Sequence, residues 1–206
     1  MIRTVRQPNR IRRLQVSHNI RYKCTIYSMK QILSKSIVLV GLMGSGKSAI
    51  GKILSERIGV PLSDTDKIIE EEVGKSVYEI FNGSGEKYFR QVEEKVVERV
   101  LNETAHIIST GGGSILSSKT RNAIKSKSFS IWVQCNVDII SKRIHDQEKR
   151  PLLKNRNILD TLVKKNRERV KFYRQADTYI VNENSNVEMT VEAIVEELLL
   201  KKVIHK

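Results

Sequence analysis

The fold of this chain is decided by the stretch Gly41-Leu42-Met43-Gly44-Ser45-Gly46-Lys47-Ser48. It fits the pattern G-x-x-x-x-G-K-[ST] at every fixed position and follows a short hydrophobic, β-branched run, Ile37-Val38-Leu39-Val40. Glycines let the backbone curl so that successive N–H groups point at one anion, and the N-terminus of a following helix adds partial positive charge. The stretch therefore predicts a buried strand, a phosphate-binding loop and a helix, in that order.

The residues of this loop have separate predicted roles. Lys47 is expected to reach the β- and γ-phosphates of a nucleotide, and the Ser48 hydroxyl is placed to ligate Mg²⁺. This motif indicates nucleotide binding but does not say which molecule receives the phosphate. The predicted ATP-binding residues of this segment are Gly44, Ser45, Gly46, Lys47, Ser48 and Ala49.

Strand-like and helical segments alternate on the C-terminal side of the loop. This alternation predicts an α/β fold: a three-layer sandwich in which a five-stranded parallel sheet carries helices on both faces. Ligands of such sheets bind at the C-terminal ends of the strands. Later strands are expected to end near residue 64 and to span 106–109, 129–133 and 178–181. Helices are expected from the end of the glycine-rich turn through about 58, and over 67–73, 77–81, 86–102, a stretch up to 145, 158–172 and 187–202.

The charge of the chain is concentrated at one end. The formal net charge is +14, but residues 1–28 hold seven basic residues and no acidic one, and the first acidic residue is Glu56. Such a distribution, without a recognition motif, does not favour nucleic-acid binding as the main role and suits an enzyme with polyanionic ligands. No apolar run approaches the roughly 18 residues that a membrane helix needs, so no membrane span is predicted.

The first 34 residues show no sustained helical or strand periodicity. They are either a basic organelle-transit segment or a disordered extension upstream of a start at Met29, and we favour the second reading. The domain is then expected over 35–206, in the cytoplasm. Cys24 and Cys135 lie far apart without metal-site spacing, which agrees with two free thiols in a reducing compartment.

Residues with carboxylate or guanidinium groups follow several of the predicted strands and helices. Asp64 and Asp66 lie two residues apart on an extended segment, so both side chains are expected to point the same way. On their own they could equally be turn and helix-cap residues. Arg90 could be a solvated surface charge, and Gly111-Gly112-Gly113 could be a flexible turn.

Taken together, five segments resemble the shikimate kinase family. They occur in that family's order and spacing from about residue 36 to the C-terminus, so the joint match is more specific than the phosphate loop alone. The segments are Asp64-Thr65-Asp66, Gly85 to Glu93 (similar to G-E-x-x-F-R-x-x-E), Thr110-Gly111-Gly112-Gly113, Arg150-Pro151-Leu152-Leu153 (similar to R-P-L-L), and Arg169 four residues before Tyr173 (similar to R-x-x-L-Y).

The resemblance implies the reaction ATP + shikimate → ADP + shikimate 3-phosphate on a P-loop kinase fold with a mobile lid. Arg90 and Arg169 match the two arginines that grip the shikimate carboxylate. Asp66 matches the carboxylate that binds the ring hydroxyls and takes or orients the proton of the attacking one. The remaining substrate-binding positions are Gly111, Gly112, Gly113, Phe89 and Glu93, of which Glu93 is expected to orient Arg90.

On the nucleotide side, the resemblance implies Mg²⁺ held by Ser48, with Asp64 acting through water. Arg150 lies in the implied lid, about 146–157, and is expected to close over the phosphates, so the implied catalytic residues are Asp66, Lys47 and Arg150. Arg143 matches an arginine that stacks on adenine, although a cation at a helix C-terminus is an equal explanation. By family analogy the protein is expected to be a monomer.

The sequence departs from the family pattern beside Arg169. Lys171 stands where many relatives have Pro, and Phe172 replaces Leu, which leaves the placement of Arg169 open. Two alternative functions remain at this point. One is another small-metabolite kinase, of the gluconate type, which would share the loop but not the combination of Arg90, Arg169 and Asp66. The other is a non-catalytic nucleotide-binding protein.

Overall fold

The computed structural model describes residues 32–144, 157–183 and 186–205. Five parallel strands form one sheet in the order β3-β4-β2-β5-β6, and a two-stranded antiparallel ribbon joins β1 to β7. The predicted α/β class and the five-stranded parallel sheet are therefore confirmed. The strands are β1 (Ile32–Leu33), β2 (Ser36–Val40), β3 (Leu62–Asp64), β4 (Ile107–Ser109), β5 (Ser128–Gln134), β6 (Thr178–Val181) and β7 (Ile204–His205).

The helices cover both faces of this sheet. One of them, α5, is not visible in the sequence pattern, because Ala123 and Ile124 are the only apolar residues among its ten. A 3₁₀ turn at Ser114–Leu116 precedes it. The helices are α1 (Lys47–Ile58), α2 (Thr65–Val73), α3 (Val77–Gly83), α4 (Gly85–Val100), α5 (Ser118–Lys127), α6 (Val137–Arg143), α7 (Ile158–Tyr173) and α8 (Val187–Leu200).

The central strand β2 shows how the two faces are built. Successive side chains of a strand point to opposite faces, and all of β2 is buried. Ile37 and Leu39 pack into a cluster with residues of α1 and α8. Val38 and Val40 pack into a second cluster with residues of α2, α3, α4, α5 and α7. This is the three-layer sandwich predicted from the sequence.

Helix ends follow local sequence signals. Gly59 ends α1 in the left-handed conformation, with φ of 66°. Ser76 and Glu79 form a reciprocal capping box at the start of α3. Asn side chains cap three further helices, which fixes where the chain turns from loop to helix near the site: Asn136 for α6, Asn157 for α7 and Asn186 for α8.

The termini of the described chain meet in the small ribbon. Ile32 pairs with His205 and Leu33 with Ile204, so the structured part reaches three residues upstream of the predicted boundary at residue 35. Of the predicted lid, only Asn157 lies within the described ranges, and Arg150 and the R-P-L-L segment lie outside them. None of the helices in the described part is long and apolar enough to cross a membrane.

Candidate active site

The phosphate-binding loop connects β2 to α1 at the C-terminal edge of the sheet. Gly44 and Gly46 have φ of 76° and 99°, a region that other residues rarely adopt. Space is also restricted, because a Cβ at Gly46 would lie 2.4 Å from Asn182 Nδ2 and one at Gly44 would lie 2.9 Å from Ile140 Cγ2. Both conformation and packing therefore require glycine at these two positions.

Lys47 folds back over the loop. Its Nζ donates to the carbonyl oxygens of Gly41 at 2.9 Å and Leu42 at 3.0 Å, and the residue is buried. The ammonium group is thus held against the backbone that would surround a phosphate. Within the same loop Ser45 is fully buried, whereas Ser48 and Ala49 at the start of α1 are exposed.

Asp64 accepts hydrogen bonds from two neighbouring residues. Its Oδ2 accepts the Ser48 hydroxyl at 2.7 Å, and its Oδ1 accepts the backbone N–H of Asp66 at 3.1 Å as the cap of α2. The two readings of Asp64, helix cap and metal support, are therefore compatible, because each uses a different oxygen. A hydroxyl backed by one carboxylate suits Mg²⁺, which keeps several waters and takes phosphate oxygens. The described part has no cluster of three or more His, Cys, Asp or Glu that could hold a metal alone.

Asp66 lies in the first turn of α2, beside the loop. Its Oδ1 is buried and has no hydrogen-bond partner among the described residues. Burial raises the pKa of Asp66 to about 7, with repulsion from Glu93 and Asp64 adding to the effect and attraction from Lys47 and Arg90 opposing it. A carboxyl group with a pKa near neutrality can accept a proton at physiological pH.

Arg90, on α4, is held by two carboxylates from its own helix. Its Nη1 donates to Glu93 Oε2 at 2.6 Å, and its Nη2 and Nε donate to Glu86 Oε1 at 3.0 and 3.3 Å. The guanidinium also lies 5.2 Å from the ring centre of Phe89, which is buried in the core. The contact with Glu93 agrees with its expected role of orienting Arg90, and Glu86, for which no role was predicted, makes a second contact.

The glycine triplet runs directly beneath these side chains. A Cβ at Gly111 would lie 2.4 Å from Glu93 Oε1 and 2.7 Å from Asp66 Oδ1, and one at Gly113 would lie 2.4 Å from Arg90 Nη2. Real Cβ atoms do not approach other atoms so closely, so a side chain at Gly111 or Gly113 would require Glu93, Asp66 or Arg90 to move. The alternative of a merely flexible turn does not explain these contacts.

The middle glycine joins the loop to α7. A Cβ at Gly112 would lie 2.9 Å from the backbone nitrogen of Met43 and 3.2 Å from the Gly41 carbonyl oxygen. On its other side, the Gly112 carbonyl accepts Arg169 Nη1 at 3.0 Å and the Tyr173 hydroxyl at 2.5 Å. Arg169 is fully buried, and its Nε and Nη2 have no partner in the part that the structure describes. The departures at residues 171 and 172 have therefore not moved Arg169 away from the site.

Comparison with known proteins identifies the family to which the chain belongs. A model of the shikimate kinase family matches residues 43–199. The chain belongs to the shikimate kinase family. The shikimate kinase of Caulobacter vibrioides is 35% identical over 165 residues, which are 80% of this chain and 82% of the relative. The structure of shikimate kinase from Acinetobacter baumannii in complex with shikimate superimposes with a TM-score of 0.79 at 29% identity, covering 82% of this chain and 95% of that one.

Kinases of the gluconate type, the first alternative function, share the fold of this chain. A gluconokinase structure from Sinorhizobium meliloti has a TM-score of 0.52 at 16% identity and covers 82% of this chain and 98% of that one. Identity at this level shows a common fold alone. The combination of Arg90, Arg169 and Asp66 around one glycine triplet instead agrees with the shikimate kinase family.

Near the phosphate loop, Arg143 and Asn182 are joined by a hydrogen bond. Arg143 is the last residue of α6, and its Nη1 donates to the Asn182 carbonyl at 3.1 Å and to Cys135 Sγ at 3.4 Å. Asn182 Nδ2 donates to the Ser45 carbonyl at 2.8 Å, bracing the phosphate loop. No role for Asn182 was predicted from the sequence. The available signal was an amide side chain directly after a parallel strand, at the edge where ligands bind.

Proposed function

We propose that this chain transfers the γ-phosphate of ATP to the 3-hydroxyl of shikimate, giving shikimate 3-phosphate and ADP. The observation that carries the proposal is the grouping of Asp66, Arg90 and Arg169 around the glycine triplet, whose middle residue contacts the phosphate loop. Membership of the shikimate kinase family, and the relatives' names, support the same acceptor.

Shikimate carries one carboxylate and three hydroxyls, and the site offers a match for each kind of group. The buried Nε and Nη2 of Arg169 have no hydrogen-bond partner among the described residues, and together they form an edge of the guanidinium that can bind a carboxylate in bidentate geometry. Arg90 adds a second positive charge, held in place by Glu86 and Glu93. The acceptor's carboxylate therefore binds between the two guanidinium groups.

Asp66 binds the hydroxyl that is phosphorylated. Its unpaired Oδ1 can accept that hydrogen bond, align the oxygen for in-line attack, and take the proton as the bond to phosphorus forms. Phosphoryl transfer proceeds through a loose transition state, so positioning and charge stabilisation supply most of the catalysis. A strongly basic group is not needed.

The phosphates of ATP bind in the loop between β2 and α1. Its backbone N–H groups and Lys47 stabilise the negative charge on the transferring group. Ser48 is the proposed hydroxyl ligand of Mg²⁺, and Asp64 holds that hydroxyl in place. When bound, the ion neutralises phosphate charge. Arg150 is proposed as a further charge-stabilising residue from the lid, and Arg143 as an adenine contact.

A coupled assay of ADP release tests the proposal. We expect turnover with shikimate and none with gluconate or nucleoside monophosphates. Asp66→Ala should abolish turnover while ATP binding is retained, because the phosphate loop is unchanged. Turnover on gluconate alone would support the other kinase class. ATP binding without turnover on any acceptor would support a non-catalytic role.

We further propose that the protein acts as a monomer in the cytoplasm, with small molecules as its partners. Light scattering coupled to size exclusion measures the mass directly, and a mass near the 23.6 kDa of one chain is expected. A dimer mass would refute this part of the proposal.

A further inference from the structure

One carbonyl oxygen in the site accepts two buried donors from the same helix. Tyr173 and Arg169 lie one turn apart on α7, and both donate to Gly112, at 2.5 and 3.0 Å. A carbonyl oxygen has two lone pairs, so these two bonds saturate it. Arg169 is proposed to bind the acceptor's carboxylate, whereas Tyr173 has no role in the reaction described above.

The environment of Tyr173 keeps its hydroxyl protonated, so that it acts as a hydrogen-bond donor. It is 1% exposed, and burial raises the pKa of its hydroxyl to about 12, so the group stays protonated at any pH used for an assay. Trp132 lies nearly parallel to its ring, with ring centres 6.0 Å apart and 20° between the planes. The ring therefore packs against Trp132, and its hydroxyl donates to the Gly112 carbonyl.

The bond from Tyr173 has consequences on both sides of Gly112. On one side, Arg169 uses Nη1 for Gly112, which leaves Nε and Nη2 as the edge that faces the acceptor. On the other side, Gly112 contacts the phosphate loop so closely that no Cβ fits. The position of this peptide thus sets the separation between the carboxylate-binding edge of Arg169 and the phosphates.

We propose that Tyr173 is a positioning residue for the acceptor, acting through Gly112 and Arg169. The inference rests on the proposed function, since it assumes that the acceptor's carboxylate binds Arg169. Without the hydroxyl, the Gly112 carbonyl keeps only the bond from Arg169. The peptide and the guanidinium can then shift together relative to the phosphate loop.

Tyr173→Phe tests this directly, because it removes one oxygen and keeps the ring beside Trp132. We expect the KM for shikimate to rise roughly 3- to 10-fold, the range for losing one buried hydrogen bond, with the KM for ATP unchanged. Tyr179→Phe is the matched control: its ring also packs on Trp132, at 6.1 Å, and it lies outside the site. It should leave both KM values unchanged.

A double-mutant cycle separates positioning from simple stabilisation. Arg169→Lys keeps the positive charge but removes the planar fork, so it should raise the KM for shikimate by itself. If Tyr173 acts through Arg169, adding Tyr173→Phe to Arg169→Lys should raise that KM by clearly less than it does in the wild type. Additive effects, or equal rises in the KM for shikimate and ATP, would overturn the inference.

The same experiments distinguish this inference from the proposed function. A wild-type protein that does not phosphorylate shikimate refutes the proposed function. A wild-type protein that does, together with a Tyr173→Phe variant that has unchanged kinetics, refutes the inference alone. Trp132 is the single tryptophan of the chain, so its emission in titrations with shikimate checks that the variant is folded and measures binding without turnover.

Discussion

Asp66 and Glu93 both approach Gly111: Oδ1 of Asp66 and Oε1 of Glu93 lie 2.7 and 2.4 Å from the position that a Cβ of Gly111 would take. Both oxygens are buried, and neither has a hydrogen-bond partner in the described part of the chain. Unpaired polar atoms are costly to bury, so native structures rarely retain them without a reason. We propose that the reason here is a ligand that brings hydrogen-bond donors. A hydroxyl-rich acceptor above Gly111 would supply hydrogen bonds to Asp66 Oδ1, to Glu93 Oε1, or to both.

Gly111→Ala should damage the acceptor site while leaving the phosphate loop intact. The new methyl group would lie 2.4 Å from Glu93 Oε1 and 2.7 Å from Asp66 Oδ1, so both carboxylates must move. A misplacement of this size in an active site lowers kcat/KM for shikimate by about 100-fold. Steady-state kinetics with each substrate varied in turn will measure the change, and the KM for ATP should stay within twofold of wild type by the same argument.

The control for that substitution is Gly83→Ala. A Cβ at Gly83 has open space around it, with no atom within 4 Å. This variant should have wild-type kinetics. If Gly111→Ala were as active as Gly83→Ala, the close contact between Gly111 and the two carboxylates would have no bearing on the reaction.

Arg90→Ala should chiefly weaken acceptor binding. The side chain is mostly buried and is oriented by Glu86 and Glu93, and it carries charge towards the proposed carboxylate. Loss of charge-assisted hydrogen bonds predicts a rise of about 10- to 100-fold in the Kd for shikimate, measured by titration calorimetry. Arg57→Ala, which removes an exposed arginine paired with Glu192, is the control and should bind shikimate as the wild type does. Equal affinity in both variants would exclude Arg90 from the acceptor site.

The stability of the ligand-free protein should fall as the pH rises towards neutrality, in part because of Asp66. The folded chain keeps a proton on this carboxyl up to a pKa of about 7, whereas the unfolded chain releases it near the ordinary value of 3.8. The folded state therefore binds more protons in this window, and the stability contributed below the lower value is lost as the pH rises through the upper one. Burial raises the pKa of Glu93 too, so both carboxyls act in the same direction.

Urea unfolding at several pH values, for the wild type and Asp66→Asn, measures this effect. The neutral amide cannot ionise, so the variant should lose less stability than the wild type between about pH 5 and pH 8. Identical slopes of unfolding free energy against pH would show that Asp66 titrates normally in the folded protein.

Asp64→Asn should raise the Mg²⁺ concentration needed for half-maximal activity. Asn remains a good helix cap, so the bond to the Asp66 N–H at the start of α2 is retained. The change removes the negative charge that holds the Ser48 hydroxyl and would help to hold the metal. A Mg²⁺ titration at saturating ATP and shikimate gives the measurement. An unchanged Mg²⁺ requirement would limit Asp64 to its capping role.

Much of the fold was predictable because its signals are local. The buried strand β2 and the glycine loop that follows it are both recognisable within a few residues of sequence. The helix α5 was missed because it presents almost no apolar stripe, and its Ser117 cap is a weak signal alone. The ribbon of β1 and β7 was missed because two-residue strands at opposite ends of the chain have no pattern to detect.

The site residues that belong to sequence motifs could be predicted. The residues that act through contacts between distant segments could not. Asp66, Arg90, Arg169 and the glycine triplet were named from their resemblance to the family pattern, and the structure brings them together. The roles of Tyr173 and Asn182 depend on hydrogen bonds across 61 and 137 residues of sequence, to Gly112 and Ser45. No spacing rule connects such pairs, so only the folded arrangement shows them.

The most direct test of the account is to identify the product made from ATP and shikimate by phosphorus and proton NMR. We predict one equivalent of a phosphate monoester on the 3-hydroxyl of shikimate for each ADP formed, with no inorganic phosphate released at early times. Ester formation should be lost in Asp66→Asn. ADP formed without any ester, or an ester on another hydroxyl, would contradict the proposed placement of the acceptor between Asp66 and the two arginines.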